Sequence, residues 1–322
     1  MRQFQRARRV GLASIALALV LRLYTAGLPR KLPELQSYIT AFLTYLETGR
    51  DVRFSASVDS FSPDFAESPP AAAKEPALPV FSGEEAVEIF YAADKNPDIP
   101  GLLAQPLDWN LYGQEPTVLI LHTHATESYT KTEEVYDETS SWRTLDEQYN
   151  LLSIGDLIAR QLQAAGIPAL QDRQLHDYPS YNGSYTRSRK SVREFLEEYP
   201  SIRLILDLHR DASGEGSSQM RTQALVDGIS SAQLMVVLGT NHKSYTENLS
   251  LGLKLHVLLE RAHPGLMRPL QLRAQRFNQD LSAGALLIEV GAAGNTHSES
   301  RTAAKALADA IIALAEGTLQ PQ

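Results

Sequence analysis

From about Glu115 to its C-terminus the chain alternates short aliphatic runs with longer stretches whose apolar residues recur at helical spacing, and that alternation restricts it to a layered α/β fold. Residues 117–121, 202–208, 234–239 and 285–290 are rich in Val, Ile and Leu and read as strands; residues 150–165, 249–262 and 301–316 carry the helical period. Strands this apolar are buried on both faces. The pattern therefore predicts a mainly parallel sheet flanked by helices on both faces. Ligands of such folds sit beyond the carboxyl ends of the strands, so the informative polar residues are those that directly follow the apolar runs.

The N-terminal third has a different texture. Arg2, Arg6, Arg8 and Arg9 form a basic head, with no acid, before an apolar run at 10–21. That run is shorter than the roughly 20 residues that span a bilayer, but 23–28 extend it if Arg22 snorkels to the interface. No clear Ala-x-Ala site closes it, so residues 1–28 are predicted to be a single-pass signal anchor, with the rest of the chain outside the cytoplasm. Residues 29–54, with Leu32, Leu35, Ile39, Phe42 and Leu46 at helical spacing, predict a membrane-proximal helix; 55–110 predict a partly disordered linker, marked by Pro63, Pro69, Pro70, Pro76 and Pro79; and 111–322 form the catalytic domain.

The chain has no cysteine, which excludes disulfides, thiolate zinc sites, iron–sulfur clusters and cysteine nucleophiles. Any transition metal must be held by His, Asp or Glu. With 38 Asp and Glu against 30 Lys and Arg, the net charge is −8, the wrong sign for coating nucleic-acid phosphates. No nucleic-acid partner is expected.

Three strands deliver polar residues to one rim. The first runs into His122-Thr123-His124 and Glu127; if the strand continues, His122 and His124 point to the same side, and His124 with Glu127 has a His-x-x-Glu spacing that can chelate one ion. The second ends in Asp207-Leu208-His209-Arg210-Asp211, where Asp207 can orient the His209 imidazole. The third carries Glu289 inside an apolar run, where an unpaired carboxylate is costly. A strand-end hydrogen bond or a structural ion-pair cluster explains each motif alone. Together, His122, His124, Glu127 and His209 supply metal ligands and Glu289 a proton acceptor, the set a zinc hydrolase needs. Tyr181, Asn182 and Tyr185 offer aromatic faces and an amide to a substrate groove, with Arg210 as a further substrate contact; His176 either joins them or packs in a loop. Arg187, Arg189, Lys190 and Arg193 form a basic cluster that either meets substrate carboxylates or lies on a solvated helix face. His242, His256, His263 and His297 lack companion motifs and read as structural or exposed.

These strings, with Tyr178-Pro-Ser-Tyr-Asn-Gly-Ser-Tyr185 and Ile288-Glu-Val-Gly291 followed by Asn295-Thr296, resemble the stage II sporulation protein P family from about Val118 to the end of the chain. The resemblance implies an amidase- or zinc-peptidase-like fold, a Zn2+ cofactor and N-acetylmuramoyl-L-alanine amidase activity on peptidoglycan, with endopeptidase activity on peptide crosslinks. It also implies action during engulfment at the septal membrane of sporulating cells, with stage II sporulation proteins D and M as partners. Carried over by position, His124 or His122 and His209 become ligands and Glu289 the catalytic carboxylate. The acidic ligand is Glu127, or Asp146, which stands four residues before Asn150 as in related amidases. Two other readings stand beside this one: a zinc carboxypeptidase-like enzyme, and a membrane-anchored cell-wall binding module without catalysis.

Overall fold

Val118–Leu121 buries all four of its side chains, which requires cover on both faces and a hydrogen-bonded neighbour along each edge. The computed structural model supplies both. It describes residues 81–318 apart from 82, 84, 93–94, 108, 131–141, 213 and 216–217, all within one unit, Lys74–Gln322. The expected signal anchor (1–28), membrane-proximal helix (29–54) and residues 55–80 of the linker lie outside the described residues. Among the described residues no helix is long and apolar enough to cross a membrane.

Along the chain the elements are β1 (Ile89–Ala92), α1 (Ile99–Ala104), β2 (Val118–Leu121), α2 (Leu151–Ala164), β3 (Ala169–Gln171), α3 (Ser184–Glu198) and β4 (Leu204–Asp211). Two hairpins follow, β5 (Gly214–Glu215) with β6 (Ser218–Gln219) and β7 (Ala224–Val226) with β8 (Ile229–Ser231). Then come β9 (Leu234–Gly239), α4 (Tyr245–Ala262), β10 (Leu270–Arg273), a short 3-10 turn (Gln279–Leu281), β11 (Ala285–Ala292) and α5 (His297–Thr318). Seven strands form one sheet in the order β1-β10-β9-β11-β4-β2-β3. Each neighbouring pair is parallel except β9 with β11. The mainly parallel sheet is thus present, with one antiparallel seam that brings the start of β9 to the rim where β2, β4 and β11 end.

Because side chains alternate across a strand, the two faces have different cover. Ile120, Leu206, Val236 and Ile288 join the main core, to which α2, α4 and α5 contribute Ile158, Leu253 and Leu307. On the opposite face Leu119, Leu121, Ile205 and Ala285 pack with Val192 of α3. Farther along that face, Met235, Val237 and Leu287 form a small separate cluster with Phe277.

The predicted boundary at 111 is too late. Ile89–Ala92 is an edge strand paired with β10, Leu102 and Leu103 of α1 are buried in the main core, and the buried Lys254 of α4 donates to the Leu102 carbonyl at 2.8 Å. Prolines continue past Pro79, at Pro97, Pro100 and Pro106, which extends the linker texture over these elements, and β1, with Phe90 and Tyr91 exposed, shows no apolar alternation to mark it as sheet. The last helix starts at His297 rather than 301. Thr296 Oγ1 accepts from Glu299 N (3.2 Å) and Glu299 Oε2 accepts from Thr296 N (3.0 Å), a capping box that begins the helix before its apolar period is visible.

Candidate active site

After Leu121 the chain leaves the sheet in a turn, so the two histidines part. Asp207 makes the turn: Oδ1 accepts from Thr123 N (2.9 Å) and Oδ2 from Thr123 Oγ1 (2.6 Å). His122 goes under α2, fully buried, with Nε2 at 2.9 Å from the Gln171 amide nitrogen. A Cβ on Gly155 would come within 2.5 Å of that Nε2, so the helix crosses closely there because residue 155 has no side chain. Burial pushes His122 down to about 4. His124 faces the other way and stacks on Tyr181, centroids 4.6 Å apart, with the His209 ring edge-on at 5.2 Å. The expectation that His122 and His124 share a side fails because it needed a continuing strand.

Glu127 leaves the same turn toward His124's side. Its Oε2 accepts from Arg210 N (3.1 Å) and lies 3.9 Å from His209 Nδ1, while Oε1 is 3.2 Å from Arg143 Nη2. Burial alone would raise its pKa, but Arg210, His209, His124 and Arg143 hold it below the ordinary carboxylate range. Asp146, the alternative acid, is exposed, and its carboxylate accepts from Gln148 N in a local turn at 3.0 Å.

Strands β4 and β11 pair His209 with Glu289 in direct register. Asp207 Oδ1 lies 3.1 Å from His209 Nε2, which leaves Nδ1 on the Glu127 side. Burial opposes the charge on His209, but Asp207, Glu127 and Glu289 outweigh it and lift the imidazole to about 9. His124 behaves oppositely: burial, only partly offset by Glu127, lowers it to about 4. Glu289 is pushed up to about 8, chiefly by burial, against the pull of His209. Gly291 then lets β11 shift register between Glu289 and Ala292: its φ is +75° and a Cβ there would meet Ala232 Cβ at 2.7 Å. Asn295 Oδ1 closes the bulge by accepting from Ala292 N at 3.0 Å.

His124, Glu127, His209 and Glu289 line one cleft of about 490 Å3. Tyr185 is in its wall, parallel to His209 at 6.4 Å, and Tyr181 sits at its mouth. Other expected substrate contacts are placed differently. Asn182 is exposed, outside the cleft, and its carbonyl accepts from Arg187. Arg210 borders the cleft, but its guanidinium is buried on the carbonyls of Ser128 (3.1 Å) and Trp142 (2.8 Å). His176 takes the packed-loop role, 2.8 Å from buried Asp172. In the basic cluster, Arg189 forks onto Asp280 at 2.7 Å and Lys190 lies 3.4 Å from Glu194. Sequence reasoning missed Arg143, which bridges Glu127 and Asp177 (2.6 Å) and lies over Tyr181. It also missed the Arg273 and Phe277 wall. Neither has a local motif that marks it.

Among the described residues no three His, Asp or Glu side chains already stand at metal-holding positions. The donors nevertheless fit a zinc-type ion: His124 is neutral, Glu127 ionised, and His209 holds a proton only because three carboxylates surround it. His124 Nδ1 and Glu289 Oε2 are buried with no hydrogen-bond partner among the described residues. Buried polar atoms without a partner in native folds call for a ligand or ion.

Fold and cleft together define a mainly parallel α/β domain with a histidine and carboxylate centre where its strands end. Residues 63–312 match the stage II sporulation protein P family, and the chain belongs to that family. It is 31% identical over 208 residues to stage II sporulation protein P of Bacillus subtilis (strain 168), covering 61% of this chain and 50% of that protein; the chain thus spans about half the length of that relative. Solved structures that it resembles include the N-acetylmuramoyl-L-alanine amidase AmiC2 of Nostoc punctiforme (14% identity, 64% of this chain, 97% of that one, TM-score 0.39). Another is the N-acetylmuramoyl-L-alanine amidase of Clostridium difficile 630 (14%, 64% and 96%, TM-score 0.37).

Proposed function

We propose that the chain is a zinc-dependent peptidoglycan hydrolase of sporulation. It cleaves the amide between lactyl-muramic acid and L-alanine, with peptide crosslinks as a second target, during engulfment. The observation that carries this reading is the register pair His209 and Glu289, facing His124 and Glu127 across one cleft. His124, Glu127 and His209 would hold the ion, with Asp207 fixing the His209 ring through its other nitrogen. Zinc, when bound, supplies Lewis acidity and lowers the pKa of water. Glu289 takes the proton from the attacking water on its carboxylate and returns it to the leaving amine. Tyr181 and Tyr185 present aromatic faces beside the centre, suited to sugar rings. Family membership supports a cell-wall role, with stage II sporulation proteins D and M as partners and the domain outside the cytoplasm on an N-terminal anchor.

Digestion of purified peptidoglycan by the full chain, followed by mass spectrometry of the new ends, tests the proposal. Free L-alanine amino termini are expected. New ends confined to crosslinks would move the main activity to endopeptidase, and release of single C-terminal residues would move it to carboxypeptidase. Bound but uncleaved peptidoglycan would leave the binding module.

A further inference from the structure

The cleft continues past the histidine centre across the sheet. The residues facing it follow the register: Glu289 opposite Met235, Leu287 opposite Val237, and Val237 in turn opposite Gln271 on β10. Arg273 follows two residues on, on the same side of β10, and Gln275 and Phe277 complete that end of the wall. Met235, Val237 and Leu287 give the cleft an apolar floor. At spacings of about 4.8 Å between strands and about 3.3 Å per residue along them, Arg273 lies on the order of 16 Å from Glu289, the span of four to five extended residues.

Arg273 differs from the other arginines lining this cleft. Arg268 is paired with Asp211 at 2.7 Å, and Arg210 is buried on carbonyls and beside Glu127. Arg273 donates to Gln271 Oε1 and has no carboxylate partner among the described residues. Phe277, beside it, holds φ at +50°, a conformation that costs an aromatic residue free energy and that clusters where ligands bind. The two residues that follow hold the turn in place. Asn278 donates to the Tyr185 carbonyl at 2.9 Å, and Gln279 bonds both Gly239 N (2.7 Å) and the Val237 carbonyl (2.9 Å) of β9.

We propose that Arg273, with Gln271, Gln275 and Phe277, forms a subsite for the carboxylate at the far end of a peptide whose scissile bond lies at Glu289. A guanidinium fork matches a carboxylate geometrically, two side-chain amides match peptide groups, and the apolar floor accepts aliphatic side chains between the ends. The subsite deepens the hydrolase reading and rests on it for the placement of the scissile bond.

The test uses the full chain and two soluble muramoyl pentapeptides, one with a free C-terminal carboxylate and one with a carboxamide, with binding measured by calorimetry and cleavage in parallel. The wild type should bind the carboxylate form about tenfold more tightly, as the loss of one charge-assisted contact implies. Arg273→Gln should erase the preference, and Arg273→Lys, which keeps the charge, should retain part of it. Equal affinity for the two forms in the wild type, or an undiminished preference in Arg273→Gln, overturns the subsite. A carboxylate preference that depends on Arg273 without any cleavage keeps the subsite and overturns the hydrolase. Cleavage without the preference does the reverse.

Discussion

Glu289→Gln should lower the turnover of purified peptidoglycan by about a thousandfold, a loss typical of removing a general acid–base group, with fold and metal content intact. Glutamine keeps the volume of the side chain but cannot take a proton from water. Glu289 is also an energetic burden: it sits within an apolar strand, with Oε2 unpartnered, and burial pushes its pKa to about 8. At neutral pH the metal-free protein therefore holds this carboxyl largely protonated, and glutamine replaces one neutral buried group by another of the same volume, so the variant should unfold at about the same temperature as the wild type. Loss of turnover with no loss of stability separates a chemical role from a structural one. Turnover at the wild-type rate would remove Glu289 from the mechanism.

The second large effect is on metal affinity, which should rise about a hundredfold per pH unit from pH 6 to about 8, about tenfold per unit from there to about 9, and level off above it. In the metal-free protein burial disfavours the charged His209, yet Asp207, Glu127 and Glu289 hold its proton up to about 9. Below that pH an ion must displace the proton, and above it nothing is displaced. His124, held near 4 by burial, and Glu127, held below its ordinary range, release none in this interval. The ligands therefore release one proton, and Glu289, which burial keeps protonated up to about 8 and which the mechanism needs ionised beside the ion, releases a second below that pH. Zinc competition against a chromophoric chelator at stepped pH reads the slope directly. Asp207→Asn removes the largest upward influence on His209 and should move the plateau to lower pH. A slope of zero throughout would mean that His209 does not carry the ligand proton this way.

Much of the site was legible because three of its side chains come directly from strands. The apolar runs located β4 and β11, and alternation placed Asp207 with His209 and singled out Glu289. What the pattern could not carry was contact across the chain. The turn that separates His122 from His124 is built by Thr123 and Asp207, 84 residues apart, so a strand continuing through both histidines was the local expectation. Strand direction is equally silent in hydrophobicity, and the antiparallel seam between β9 and β11 left no mark on either run. Arg143 lies 16 residues from Glu127 and 34 from Asp177, and Arg273 acquires meaning only from the neighbours that the sheet gives it. The short strands at the β1 end of the sheet were lost for a different reason. β1 and β10 have four residues each, too few for a period to show.

Zinc content of the full chain, measured by elemental analysis after loading and desalting, tests the centre most directly when compared across single variants. The wild type should hold one ion, and His124→Ala, Glu127→Ala and His209→Ala should hold little. His122→Ala and Asp146→Ala should keep it, because one side chain is buried under α2 and the other is exposed in a local turn. A wild type without zinc, or loss of the ion in His122→Ala and not in His124→Ala, would contradict the account.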